Sequence, residues 1–152
     1  MIPINVVLDT NVCLDLFVFR DPRWSSLLAA LKSGTIKAVT RQDCRTEWLR
    51  VLDYPHLPLD PVSRARCTVE FDNLITCVNP PTRPGTVLPI CSDHDDQKFL
   101  ELANDSHAAF LITKDKALLK LSRKTAKSGL FHIIQPHDWR EQESPDHCHN
   151  LV

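Results

Sequence analysis

The chain has 152 residues, 43% of them hydrophobic, with 18 basic and 19 acidic side chains and a formal net charge of −1. That length suits one domain with a sizeable core. The near-neutral balance argues against binding nucleic acid by bulk positive charge, although an acidic metal site can cancel a basic rim in the total. No apolar run approaches the length of a membrane span.

Residues 4–8 form a short valine-rich run, suited to a buried parallel strand with Asp9 as its last residue. Asp21-Pro22 opens a helix with proline at its first position. Trp24, Leu27, Leu28 and Leu31 follow at helical spacing, and Gly34 ends that helix. A second strand is predicted over 36–39. Residues 41–52 read as a helix with Cys44, Trp48, Val51 and Leu52 on one face, broken at Tyr54-Pro55. Asp60-Pro61 starts another helix, running to about residue 75.

Residues 78–85 carry Asn79-Pro80-Pro81 and Arg83-Pro84-Gly85, which is loop chemistry, and 87–90 reads as a short extended piece. An acidic first turn, then Phe99, Leu100, Leu102 and Ala103, marks a helix over 93–106. A strand over 108–113, a short helix over 116–122, a strand over 131–134 and a turn over 136–141 complete the order. Residues 1–141 form the domain; 142–152 read as a loose polar tail, including the tract Asp146-His147-Cys148-His149.

Short apolar strands alternating with helices imply an α/β fold, its parallel sheet covered on both faces. Cys13, Cys44, Cys67, Cys77, Cys91 and Cys148 show no C-x-x-C spacing. The N-terminus enters a strand-like run directly. The cysteines therefore read as small buried hydrophobes of a protein in a reducing cytoplasm.

In open α/β sheets, ligands bind beyond the carboxyl ends of the strands. If the strands over 4–8 and 109–113 are neighbours, Asp9 and Asp115 meet at that edge. Asp96 stands at a helix start, where the dipole favours a carboxylate. Glu47 comes from a further helix. Each alone also reads as a turn former, a cap or a solvated helix residue. Together they are an oxygen donor set for a hard divalent cation, Mg²⁺ or Mn²⁺. Such a set points to metal-dependent phosphodiester chemistry, which needs no serine or histidine nucleophile.

Four segments carry a resemblance: Leu8-Asp9-Thr10-Asn11-Val12; Glu47; Asp93-x-Asp95-Asp96-x-Lys98-Phe99-Leu100-Glu101-Leu102-Ala103; and Leu111-Ile112-Thr113-Lys114-Asp115. In order and spacing, over about residues 4–138, they resemble the PIN-domain ribonucleases. Within that family they are most similar to the branch described as toxin components of bacterial toxin–antitoxin pairs. The resemblance implies a three-layer α/β/α PIN-like fold with a mainly parallel central sheet. It also implies an endoribonuclease dependent on Mg²⁺ or Mn²⁺, one ion or two.

The family's catalytic acidic set would fall on Asp9, Glu47, Asp96 and Asp115. Asp9, Asp96 and Asp115 would be metal ligands, with Glu47 and Asp93 as further candidates. Asn11 would support the first aspartate and Thr113 the last. RNA is the implied substrate, an antitoxin protein an implied partner, and a homodimer an implied assembly. One departure is Lys114, where a small residue or glycine is common; a lysine there would touch a phosphate or repel the metal.

Basic residues follow the last aspartate: Lys114, Lys116, Lys120, Arg123, Lys124 and Lys127, with Arg41, Arg45 and Arg50 elsewhere. By default this is a solvated face; beside a phosphodiesterase site it becomes a rim that holds the RNA backbone. Two other readings compete. One is a catalytically weak PIN-like scaffold that binds RNA or a protein. The other is a different phosphohydrolase with a strand-end aspartate. A dehalogenase-type phosphatase wants a second aspartate two residues after the first, where Asn11 stands.

Overall fold

The computed structural model describes residues 2–139. The expected tail and its Asp146-His147-Cys148-His149 tract lie outside them. Five parallel strands, β1 (Ile4–Leu8), β2 (Ile36–Thr40), β3 (Ile75–Cys77), β4 (Phe110–Ile112) and β5 (His132–Ile134), form one sheet in the order β3-β2-β1-β4-β5. β1 is central and pairs directly with β4, Val6 opposite Phe110 and Leu8 opposite Ile112. The adjacency on which the site argument depends is therefore present.

Side chains alternate across the pleat. Val6, Leu8, Ile36, Ala38 and Ile112 feed one core, and Val7, Val39, Leu111 and Ile133 the other. The first core is covered by α1 (Thr10–Cys13), α2 (Ser25–Ser33) and α4 (Pro61–Leu74), which contribute Val12, Leu27, Leu31, Cys67 and Phe71. The second is covered by α5 (Gln97–Asp105) and α6 (Lys116–Leu119), through Phe99, Leu100, Leu102 and Leu118. α3 (Gln42–Leu52) gives Cys44 to one core and Trp48 and Leu52 to the other. This is the expected α/β/α arrangement. Trp48 stacks on Phe71 with ring centroids 5.1 Å apart, and Phe17 meets both rings edge-on at 6.1 and 6.0 Å.

Several expectations need correction. β1 stops at Leu8, and Asp9 is instead the N-cap of α1, which continues as a π-helical turn, Leu14–Val18. Val12, Cys13, Leu16 and Phe17 lie on the buried face of this helical run. β3 lies where the sequence pattern predicts the end of a helix, because only Ile75 of its three residues is buried and no apolar run announces it. Residues 87–90 form no strand; Val87 and Ile90 are exposed and pair with nothing in the sheet. The helix over 93–106 begins as a 3₁₀ turn, His94–Asp96. The helix over 116–122 is α6 followed by a separate α7 (Ser122–Lys127). Cys13, Cys44, Cys67 and Cys91 are buried as expected, whereas Cys77 is exposed. Among the described residues, no helix is long and apolar enough to cross a membrane.

Candidate metal centre

Pairing with β4 runs one residue past β1: the Asp9 N–H donates to the Ile112 carbonyl at 3.0 Å. The Asp9 carboxylate caps α1 by accepting from the Thr10 N–H at 2.7 Å. Asp115 follows β4 and caps α6, accepting from the Ala117 N–H at 2.8 Å. Asp96 closes the 3₁₀ turn at the head of α5. One oxygen from each of Asp9, Asp96 and Asp115 lies within 4.8 Å of the others. Three elements distant in sequence thus deliver three carboxylates to one point. Asp9 and Asp96 are buried, Asp115 half-buried.

Thr113, fully buried, links two of them. Its hydroxyl donates to Asp9 Oδ2 at 2.7 Å and accepts from the Asp115 N–H at 2.9 Å. Asn11 clamps the same edge: Nδ2 donates to Asp9 Oδ2, and Oδ1 accepts from the Lys114 N–H, both at 3.3 Å. Asn11 and Thr113 thus both hydrogen-bond the Asp9 carboxylate and the backbone that leads to Asp115.

Crowding carboxylates out of water is costly, and it shows in their proton affinities. Burial pushes Asp9 up to about 6, although the Thr113 hydroxyl and the Thr10 N–H hold it down; Glu47 and Asp115 add repulsion. Burial, and then Asp115 beside it, pushes Asp96 up to about 8. Asp115 is lowered in turn, chiefly by the hydrogen bond it takes from Asp96. Asp96 Oδ2 is buried, and no N–H or O–H of the described residues donates to it. An oxygen of this kind is satisfied by a proton or by a cation. Three oxygen donors, clustered acidity and an orphaned buried oxygen fit a hard divalent ion.

Glu47 stands apart from the three. Its carboxylate accepts from the Thr10 hydroxyl and from Lys98 Nζ, the latter at 2.8 Å. The expected cluster of four is a triad with a flanking, cation-paired glutamate. Asp93, a further expected ligand, is exposed and caps the 3₁₀ turn by accepting from the Asp95 N–H at 3.0 Å. Lys114 Nζ pairs with Asp15 at 2.6 Å, and Asp15 also accepts from Trp24 Nε1 at 3.2 Å. The Lys114 charge is balanced there, away from the role of metal repellent.

The basic rim is only partly as expected. Arg41 pairs with Asp43 and Glu101, and Arg45 with Asp72, so neither is an unpaired charge. Lys116, Lys120, Arg123, Lys124 and Lys127 are exposed, but none lines the cleft of about 320 Å³ that holds the triad. Lys124 and Lys127 line a different depression, with Val87 and Leu88. Sequence reasoning missed Thr10 and Lys98 as parts of the site. Both lie inside the quoted motifs, yet their shared partner Glu47 is 37 and 51 positions away.

The sequence profile described as PIN domain matches residues 5–117, which include Asp9, Glu47, Asp96 and Asp115. The chain belongs to the PIN domain family. No curated protein gives a significant match. PIN domains are generally nucleases that use divalent metals and act on RNA, and in this PIN domain the acidic triad could hold such an ion.

Proposed function

We propose that this PIN domain is an endoribonuclease that uses Mg²⁺ or Mn²⁺ held by Asp9, Asp96 and Asp115. The observation that carries the reading is the buried Asp96 Oδ2, without a hydrogen-bond donor, among three carboxylates within 4.8 Å. A bound divalent cation would supply Lewis-acid polarisation of the scissile phosphate and of an attacking water. Thr113 and Asn11 fix the Asp9 carboxylate so that it meets that charge without rearranging. Glu47 lines the cleft outside the triad, oriented by Thr10 and Lys98, and is the carboxylate left to accept a proton from the incoming water.

The resemblance of the motifs to the toxin branch supports a finer reading: the toxin of a toxin–antitoxin pair, acting in the cytoplasm, with an antitoxin partner and a homodimeric assembly. A small DNA-binding protein in the neighbouring reading frame would support it. Growth arrest on expression, relieved by Asp115→Asn, tests the toxin role directly.

For the enzyme, purified protein should cut single-stranded RNA with Mn²⁺ or Mg²⁺, stop in EDTA, and lose at least about 100-fold in rate as Asp115→Asn. Cutting that persists in both the chelator and the variant would exclude the mechanism. The Lys98–Glu47 pair favours a second reading, a catalytically weak scaffold, because one expected acid is already neutralised. Calorimetric titration with Mn²⁺ separates the two: a scaffold has no need to bind the ion.

A further inference from the structure

The cleft that holds the triad is lined by a second kind of chemistry. Tyr54, His56 and Leu57 come from the turn after α3, and Leu14 and Val51 complete an apolar floor. Tyr54 and His56 are exposed, with ring centroids 5.7 Å apart and planes inclined at 38°. Their turn is fixed in place. The Tyr54 N–H donates to the Val51 carbonyl at 3.0 Å, the Leu57 N–H donates to the Tyr54 carbonyl at 3.2 Å, and the Leu57 side chain is buried. Two aromatic rings are thus held open to solvent on a hydrogen-bonded turn, in the same depression as the carboxylates.

No described residue lining this cleft is lysine or arginine, so this wall has neither with which to grip a phosphate. It offers ring faces over aliphatic side chains, which is the surface that binds a nucleobase by stacking. We propose that Tyr54 and His56 form a stacking platform for one unpaired nucleobase of the RNA whose neighbouring phosphate reaches the triad. The inference rests on the nuclease reading and adds to it a place where one base of the strand is held. A base inside a helix has both faces covered by its neighbours, so the platform admits only a base that has left its stack. A cleft of about 320 Å³ is at the small end of ligand sites, a size for one nucleotide rather than a duplex. Stacking reads ring area more than hydrogen-bonding edges, so the preference is for purines over pyrimidines without a strict sequence.

The test uses single-stranded oligoribonucleotides carrying a fluorescent purine analogue whose emission is quenched by stacking. Binding is followed in EDTA, where the strand stays whole, and cleavage is followed separately with Mn²⁺. Wild type should quench the analogue. Tyr54→Ala should bind about 5- to 100-fold more weakly without quenching, and Tyr54→Phe should restore both. An abasic nucleotide next to the cut bond should cost wild type the same factor in KM and cost Tyr54→Ala nothing further. The same target placed in a hairpin stem should be cut far more slowly than in its loop. Cleavage by wild type with quenching and KM unaltered in Tyr54→Ala and His56→Ala would overturn the platform and leave the nuclease reading standing. Tyr54-dependent quenching without any cleavage by wild type would do the reverse, and absence of both would remove both.

Discussion

Asparagine in place of Asp9 sets two opposing effects against each other in the metal-free protein, and pH decides their balance. Burial is the larger influence on Asp9 and moves it from 3.8 to about 6. At about 1.4 kcal/mol per pH unit, holding that carboxylate ionised costs about 3 kcal/mol of stability. The folded state binds this proton more tightly than the unfolded one. Its stabilising contribution is therefore complete below about pH 4, declines between about 4 and 6, and is lost above that. Asparagine carries no charge and avoids the penalty. It also mismatches its donors. Thr113 and Asn11 both donate to Asp9 Oδ2, at 2.7 and 3.3 Å, while Oδ1 accepts from the Thr10 N–H. An amide has one oxygen for these three donors, and the clash costs about 1–2 kcal/mol. In EDTA, Asp9→Asn should be more stable than wild type by about 1–2 kcal/mol near pH 7.5, and that advantage should be lost near pH 4, where Asp9 is itself a neutral acid facing the same donors. Urea denaturation followed by circular dichroism at the two pH values measures this. An equal advantage at both would refute burial of a charge as the source. At about 100 times its Kd, Mn²⁺ should then stabilise wild type by about 2.7 kcal/mol near pH 7.5 and the variant by much less.

Thr113→Val keeps the volume but removes the hydroxyl between Asp9 and the Asp115 N–H; it should cost about 1–3 kcal/mol and weaken Mn²⁺ binding in a titration. Unchanged metal affinity would show that the hydroxyl does not position the ligands. Lys114→Gly strands the Asp15 carboxylate, whose side chain is 10% exposed, beside Trp24. It should lower stability by about 1–3 kcal/mol in thermal melts and change metal affinity by less than about 2-fold, the opposite of what a metal-repelling lysine would do. Replacing Lys120, Arg123 and Lys124 together by glutamine should flatten the slope of log K against log salt by about 2 if they hold single-stranded RNA. Equal slopes for wild type and variant would make that stretch a solvated helix face.

The parts legible in the sequence are those that local pattern controls. β1, β2 and α5 declare themselves through dense apolar runs, and Asp9 and Asp115 through their places just beyond a strand. β3 did not, because a three-residue edge strand with one buried side chain is specified by its neighbour β2 rather than by itself. The helical run after Asp9 was hidden for a different reason. Val12 to Val18 is so apolar that its period is hard to separate from a continuing strand. In the site, the three aspartates were readable as types in places, but the assignment of Glu47 was not. Whether a helix glutamate joins a cluster or pairs with a lysine depends on Lys98, which reaches it from α5. Arg41 and Arg45 show the same limit: a positive charge is visible in the sequence, its partner is not.

Asp9 and Asp115 come together through the β1–β4 pairing, across 104 positions between Asp9 and Thr113, and Asp96 joins them from the head of α5. While the chain is being made, at about 5–20 residues per second, Asp9 is present many seconds before the residues that complete the triad. Until Asp96 and Asp115 have been made, no three-carboxylate site can exist. A chain that has not yet made β4 therefore lacks the triad on which the proposed cleavage depends. The docking of β4 beside β1 is the step that brings Thr113 and Asp115 to Asp9.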